Sequence, residues 1–330
     1  MTPQAPITQQ PTLTSTQEVQ IADQLHSDDT QQVIKEAILK QLLQAAITQN
    51  EAETVLTGVT VTDLQDGHTI FGHNADTEHF AASINKIPVA LLVLEELRAG
   101  RLSLDQTTTW LASDVRGGFG LYDQPGAPLQ ATVRDVIYDM LNRSGNTVVR
   151  VLVNNHLGGA AAVNARWATE PQLSHTFLIP LDGNRFFLGN STPHDSMWAM
   201  EQLMKTQDRP ARFMKDALAT NIFTDFGVRS QLEGTDFILL VNKIGLLDDI
   251  EGNNRHDVGI IYNRRTRKSY GYSFFTTSPF ESTTATPRAE QSLKDMGSYV
   301  LRFAGDKKRA SRTPDTSRLR QRGIERRLLY

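Results

Sequence analysis

Strand-forming sequence stands at both ends of this chain, and helix-forming sequence fills the interval between. Val55 to Leu64 is rich in Val, Leu and Thr and alternates, Asp66-Gly67 marks a hairpin turn, and Thr69 to Gly72 returns as a second strand. Far downstream, Phe237 to Leu247, Asp257 to Asn263 and Ser269 to Thr277 are three further β-rich runs, and Arg288 to Phe303 reads as a closing helix. Between the two groups, helical patterns cover Ser83 to Ala99, Val133 to Leu141, Asn146 to Asn155, Ala160 to Ala168 and Asp195 to Lys205, with a long loop from Ser174 to Pro193. Ahead of everything, Val33, Ile34, Ala37, Ile38, Leu42, Ala45 and Ala46 recur at helical spacing from Gln31 to Thr48, behind the candidate caps Asp29 and Thr30. The economical solution is a mixed α/β (α+β) fold in which one antiparallel sheet carries the terminal helices on a face and an all-helical lobe lies beside it. The expected organisation is a flexible Gln/Thr/Pro-rich leader over 1–30, a domain over 31–304 and a basic tail over 305–330. Within the domain, residues 31–82 and 235–304 form the α/β lobe and 83–234 the helical lobe.

A chain of 330 residues with 39% hydrophobic content can bury a full core. No run approaches the roughly 18 consecutive apolar residues of a membrane span, and Met1 to Thr30 has no basic start followed by an apolar stretch, so the chain as written reads as soluble. Cysteine is absent, which removes disulfides, thiolate metal sites and cysteine nucleophiles and leaves the compartment open. The net charge of −3 conceals an asymmetry, because ten Lys or Arg between Arg302 and Tyr330 face only Asp306, Asp315 and Glu325. That tail reads as a solvated end able to touch an anionic envelope surface, while the acidic body argues against a nucleic-acid partner. His68, His73 and His79 suit no single helix face and have no cysteine to help them, so they are read as hairpin surface residues, with no metal and no cofactor implied. Trp110, Trp167 and Trp198 read as packing residues.

Three short signatures follow one another: Ser83-Ile84-Asn85-Lys86, Ser144-Gly145-Asn146 and Lys243-Ile244-Gly245. Each is weak alone; their order and context give them weight. A Ser and a Lys three residues apart at a helix start share one face, where free backbone N–H groups and the helix dipole favour an oxyanion. Pro88 is cheap only in the first turn, which places Ser83 near the helix N-terminus. A serine hydroxyl needs a neighbouring base to attack, and Lys86 serves if burial and a second cation, Lys243 on an edge strand, disfavour its protonated form. Ser144, on a loop between helices, can relay the proton to a leaving nitrogen, and Asn146 can bind substrate or Lys86.

These motifs resemble the SxxK, SDN and KTG set of the class A β-lactamase and penicillin-binding superfamily. The flanks agree: Gly117-Gly118-Phe119-Gly120, Thr132 to Asp135 and Leu141-Asn142-Arg143 resemble the approach to the second motif. Leu232-Glu233-Gly234-Thr235 and Arg255 to Ile260 flank the third, and Asn190-Ser191-Thr192-Pro193 resembles the end of the family's omega loop. The likeness covers about 31–304 and implies a β-lactamase/D,D-peptidase-like fold with an acyl-enzyme on Ser83, Lys86 as base, Ser144 as proton relay and Lys243 setting the field. It also implies an oxyanion hole from the N–H groups of Ser83 and Leu246 beside Gly245, a β-lactam or D-amino-acid peptide substrate, a monomer, and a place outside the cytoplasm.

The chain departs from that pattern in three ways. Gly145 stands where the family has an Asp in the second motif, a change that looks tolerable because the Ser and Asn survive. Ile244 and Leu246 replace hydroxyl residues that hold a substrate carboxylate in the family, a loss of about 1.5–3 kcal/mol for a hydrogen bond to a charged group. The family's deacylating glutamate has no obvious counterpart: Glu170 precedes a similar text but sits early, and Asp182 is the only acid between Leu181 and Asn190. Slow deacylation is the expectation for a β-lactam hydrolase built this way, with a D,D-peptidase or other cell-wall peptide hydrolase as the alternative. A non-catalytic module binding envelope peptides or a partner protein is the alternative of another class.

Overall fold

The computed structural model describes residues 28–305 apart from 250, 251, 281 and 283. The leader, except its last three positions, and the basic tail from 306 onward lie outside the described residues. Helix α1 (Asp28–Ala52) leads into β1 (Leu56–Asp63), β2 (Thr69–His73) and the short β3 (His79–Phe80). The middle of the chain holds α2 (Lys86–Arg98), β4 (Thr107–Thr109), β5 (Gln130–Thr132), α3 (Val133–Tyr138), α4 (Asn146–His156), α5 (Ala160–Trp167), β6 (Phe177–Pro180), β7 (Phe186–Ser191), α6 (Pro193–Lys205) and α7 (Arg209–Ala219). It closes with β8 (Phe237–Asp249), β9 (Gly252–Asn263), β10 (Ser269–Ser278) and α8 (Ala285–Ala304).

The early and late strands join as one antiparallel sheet in the order β2-β1-β10-β9-β8. One face buries Val59, Val61, Tyr272 and Phe274 against Leu39, Leu43 and Ile47 of α1 and Leu293, Met296 and Val300 of α8. The other turns Val258, Ile260 and Phe275 into the larger core built on α2, α4, α6 and α7. Adjacent residues such as Phe274 and Phe275 serve opposite cores because strand side chains alternate. Trp167 is fully enclosed in the larger core.

A bulge in β8 decides which face receives Lys243. Leu239 packs on the α1/α8 side, and simple alternation would send Val241 and Lys243 to that side too. The register with β9 slips between Leu239 and Val241, so Leu240 and Val241 both turn to the helical side, and Lys243 follows at the next even step.

The middle segment is less purely helical than its sequence suggests. The expected loop from Ser174 to Pro193 contains the β6–β7 hairpin, which with β3 makes a small sheet, and β4 pairs β5. The turn of that hairpin lies at Asp182-Gly183, with Gly183 at φ +67°. Helix α7 was not anticipated, although Asp208 caps it through Ala211 N–H and Pro210 stands in its first turn. The candidate caps of α1, Asp29 and Thr30, lie inside the helix, which begins at Asp28. His79 corrects the surface reading of its group: it is buried, edge-on to Phe275 and His256, and burial holds its imidazole down at about 3.

Thr192 links the hairpin to α6. Its Oγ1 accepts from Asp195 N–H at 3.0 Å and donates to Asp195 Oδ1, while Asp195 Oδ2 accepts from His175 N–H and Thr176 Oγ1. Thr192→Ala removes a buried cap and is expected to lower unfolding stability by about 1–2 kcal/mol. Urea titration reads this as a lower midpoint with unchanged slope; an unchanged midpoint would contradict it.

Candidate active site

Ser83 lies on a single 3-10 turn, Ala82–Asn85, immediately before α2, rather than in the α-helix itself. Pro88 is the third residue of α2, where its missing N–H costs nothing. The chain enters the turn through Ala82 at φ +47°, a left-handed conformation that a non-glycine residue adopts only when its surroundings impose it. Asn85 fixes the turn from below, its Nδ2 donating to the carbonyls of Leu188 and Asn190 on β7. Opposite, β8 presses against the same turn: a Cβ on Gly245 would stand 3.0 Å from both Ala81 O and Ile84 Cγ1, so any side chain there would push the strand and the turn apart by a few tenths of an ångström.

The second element is a π-helical turn, Asp139–Arg143, that ends α3 and delivers Ser144 at φ +64°. Asn142 in this turn donates to the carbonyls of Ala217 and Thr220 at the end of α7. Asp123 holds the start of α4, accepting from the N–H groups of Gly120, Asn146 and Thr147 at 2.8–3.0 Å.

Lys86 is fully buried where these parts meet. Its Nζ lies 2.9 Å from Ser83 Oγ, 2.6 Å from Ser144 O, 3.2 Å from Ser144 Oγ and 2.8 Å from Asn146 Oδ1. Burial lowers this amine to about 7 against the opposing pull of Asp123 and Asp139. A neutral amine has two N–H donors and one lone pair. Ser144 O and Asn146 Oδ1 can take the donors, which leaves the lone pair for the Ser83 hydroxyl. Lys243, 1% exposed, reaches Ser144 Oγ at 2.8 Å and Ile244 O at 3.0 Å. Burial first, then the Lys86 charge, push its amine well below the usual lysine range. The Ser144 hydroxyl therefore sits between two amines that disfavour each other's protonation.

Since Ile244 O faces Lys243 rather than β9, the period of two along a strand puts Leu246 N–H on the same free edge, level with the Ser83 turn. The cleft in front measures about 620 Å³. Ser83, Ser144, Asn146, Ile244, Leu246, Arg150 and Phe186 line it.

The structure brings Ser83, Lys86, Ser144, Asn146, Lys243, Gly245 and Leu246 together. It does not bring Glu170 or Asp182 to them. Glu170 is exposed just past the end of α5, on a separate groove with Leu91 and Trp198, because α5 stops at Trp167. Asp182 is exposed at the β6–β7 turn, where its carbonyl accepts from Arg185 Nε. Among the described residues that line the cleft, none is Asp or Glu. Asp123, Asp139 and Arg150 carry no motif and are found only in three dimensions.

A serine turn at a helix start, an amine beneath it and a second serine between two lysines, all at the edge of an antiparallel sheet, define a serine hydrolase fold of the β-lactamase and penicillin-binding kind. The model of the Beta-lactamase enzyme family matches residues 37–304, and the chain belongs to that family. A β-lactamase from Sphaerobacter thermophilus is similar in structure at 24% identity and TM-score 0.66, over 80% of this chain and 97% of that one. The class A β-lactamase of Mycobacterium abscessus is 21% identical with TM-score 0.64, over 81% and 100%. The protein described as PBP-A is 18% identical with TM-score 0.65, over 79% and 95%. No curated protein sequence matches the chain. Among the described residues, no helix is long and apolar enough to cross a membrane.

Proposed function

We propose that the protein is a serine acyl-enzyme hydrolase that opens a β-lactam, or cleaves a related D-amino-acid amide, and releases the acyl group slowly. The observation that carries this reading is the buried Lys86 amine at 2.9 Å from Ser83 Oγ. Ser83 Oγ attacks the carbonyl carbon as its proton moves to Lys86 Nζ, and the oxyanion is held by the N–H groups of Ser83 and Leu246. The C–N bond then breaks, and the proton reaches the leaving nitrogen through Ser144, with Lys243 holding the Ser144 hydroxyl in place. Water must finally attack the ester. With no carboxylate among the described residues that line the cleft, general base assistance to that water is weak, a deficit of roughly 10²- to 10⁴-fold. Substrates of this kind lie outside the cytoplasm, so the proposed place of action is the cell envelope or beyond.

Intact-mass spectrometry of the protein mixed with a chromogenic β-lactam and, separately, a fluorescent penicillin tests this, with Ser83→Ala as control. The expected result is an adduct on Ser83 that persists for minutes while little product appears, and no adduct on the variant. Rapid product with only a transient adduct would refute slow deacylation. The absence of an adduct with every acyl donor would remove the enzyme reading in favour of a binding module.

A further inference from the structure

Arg150 stands four residues beyond Asn146 on α4 and is 7% exposed, yet its side chain forms no hydrogen bond or ion pair among the described residues. Its guanidinium lines the active-site cleft and lies over the Phe186 ring at 5.9 Å. Arg116 and Arg185 line the same cleft, and the acid whose field reaches Arg150 is Asp114, whose Oδ2 already accepts from Leu111 N–H. Burial and the two neighbouring arginines pull Arg150 below the usual guanidinium range against the field of Asp114, and the described residues that line the cleft include these three arginines and no carboxylate. Its guanidinium faces the cleft without a protein acceptor, so its donors are left to water or to a ligand that supplies acceptors.

We propose that Arg150, flanked by Arg116 and Arg185, is an anion subsite for the acyl portion of the substrate, so that the preferred acyl donor carries a carboxylate beside an apolar or aromatic acyl group. This rests on the acyl-enzyme reading above. Position along α4 assigns the anion to the acyl side. Ser144, where the leaving nitrogen departs and which Lys243 of β8 contacts, lies just before the helix, and four residues carry Arg150 about 6 Å along the axis from Asn146. Ile244 and Leu246, which follow Lys243 on β8, bring no cation to the leaving-group side. Phe186 and Phe187, beside the arginines, supply the apolar complement.

The test compares benzylpenicillin with its α-carboxy analogue, which differ by one carboxylate on the acyl side chain, by their second-order rates of Ser83 adduct formation. The wild type should favour the carboxylated donor by about 10- to 100-fold, the effect of hydrogen bonds to a charged group. In Arg150→Gln the ratio of the two rates should fall to about one, and in Arg150→Lys, which keeps the charge without the fork, it should be intermediate. Equilibrium binding of the unreactive pair 4-phenylbutyrate and 4-phenylbutyramide supplies the second readout, with the anion preferred by at least about tenfold. Where adducts form, a wild-type ratio near one, or a ratio unchanged in Arg150→Gln, overturns the subsite and leaves the acyl-enzyme reading intact. Where neither penicillin acylates, the β-lactam half of the acyl-enzyme reading fails, and the preference between the unreactive pair alone decides the subsite. If Arg150→Gln does not fold, the wild-type ratio and Arg150→Lys decide it.

Discussion

Lys86→Met is expected to slow acylation of Ser83 by roughly 10²- to 10⁴-fold and to gain stability relative to the wild type as the pH falls. Methionine matches lysine in length and fits the same channel, but it can neither take the Ser83 proton nor bind Ser144 O and Asn146 Oδ1. Loss of a general base costs roughly 10²- to 10⁴-fold in the acylation rate. In the wild type that rate should rise with pH through about 7, where Lys86 becomes neutral, and level off above it. The variant's residual rate should lack this limb. A stopped-flow pH series with a chromogenic β-lactam separates the two profiles; a wild-type limb that survives the substitution would assign the base elsewhere.

The stability half of the prediction follows from linkage. The folded-state value of Lys86, about 7, lies below the unfolded value, so the unfolded chain binds more protons between them and wild-type stability rises with pH across that interval. The contribution is complete above the unfolded value and is lost as pH falls through about 7. Methionine carries no such dependence. The difference in stability between Lys86→Met and wild type should therefore shift in the variant's favour by about 2 kcal/mol between pH 9 and pH 7. Paired urea titrations at the two pH values measure it, independently of how much the broken hydrogen bonds cost at either pH. No shift between the two pH values would show that Lys86 stays charged in the folded protein across this interval.

Much of this was legible in the sequence because it is written in local chemistry. Ser83, Lys86, Ser144, Asn146 and Lys243 announce themselves through short spacings next to helix starts and an edge strand, and β1, β2, β9 and β10 through alternation. What escaped depends on long-range partners. The bulge at Leu239 to Val241 is a decision of the β8–β9 pairing, and no residue in the run marks it, yet it aims Lys243 at the active site. The β6–β7 hairpin hides because its strands are short and its apolar residues, Leu178 and Phe186, are shared with a helical core. Arg150 is read from sequence as an ordinary helical arginine; only the tertiary structure shows it buried beside two more arginines at the wall of the cleft. Gly145 looked like the loss of a motif aspartate, and its explanation lies six residues upstream.

Gly145→Asp, which would restore the motif of the family, is expected to damage the protein. Gly145 has φ −54°, open to any residue, so its side chain is excluded by space and not by backbone conformation. A Cβ there would overlap Asp139 Oδ2 and come within 2.7 Å of Val148 Cγ2. Asp139 is 3% exposed; its Oδ1 accepts from Leu121 N–H at 2.7 Å, its Oδ2 has no partner, and burial raises its carboxyl above the usual range, with Asp123 adding to the shift. A third carboxylate in this pocket adds steric overlap to an uncompensated buried charge, a combined cost of about 3–5 kcal/mol. It would also displace the Ser144 loop, so acylation should fall with stability. The carboxylate at Asp139 thus fills the space that an aspartate at position 145 would need, and the two positions should be coupled. Asp139→Ala combined with Gly145→Asp is expected to recover at least half of the lost stability, a coupling of about 2 kcal/mol in a double-mutant cycle. Additive effects would mean that the two positions do not share one space, and an undiminished Gly145→Asp would mean that the loop yields freely, contrary to the packing of Gly120 and Val148 around it.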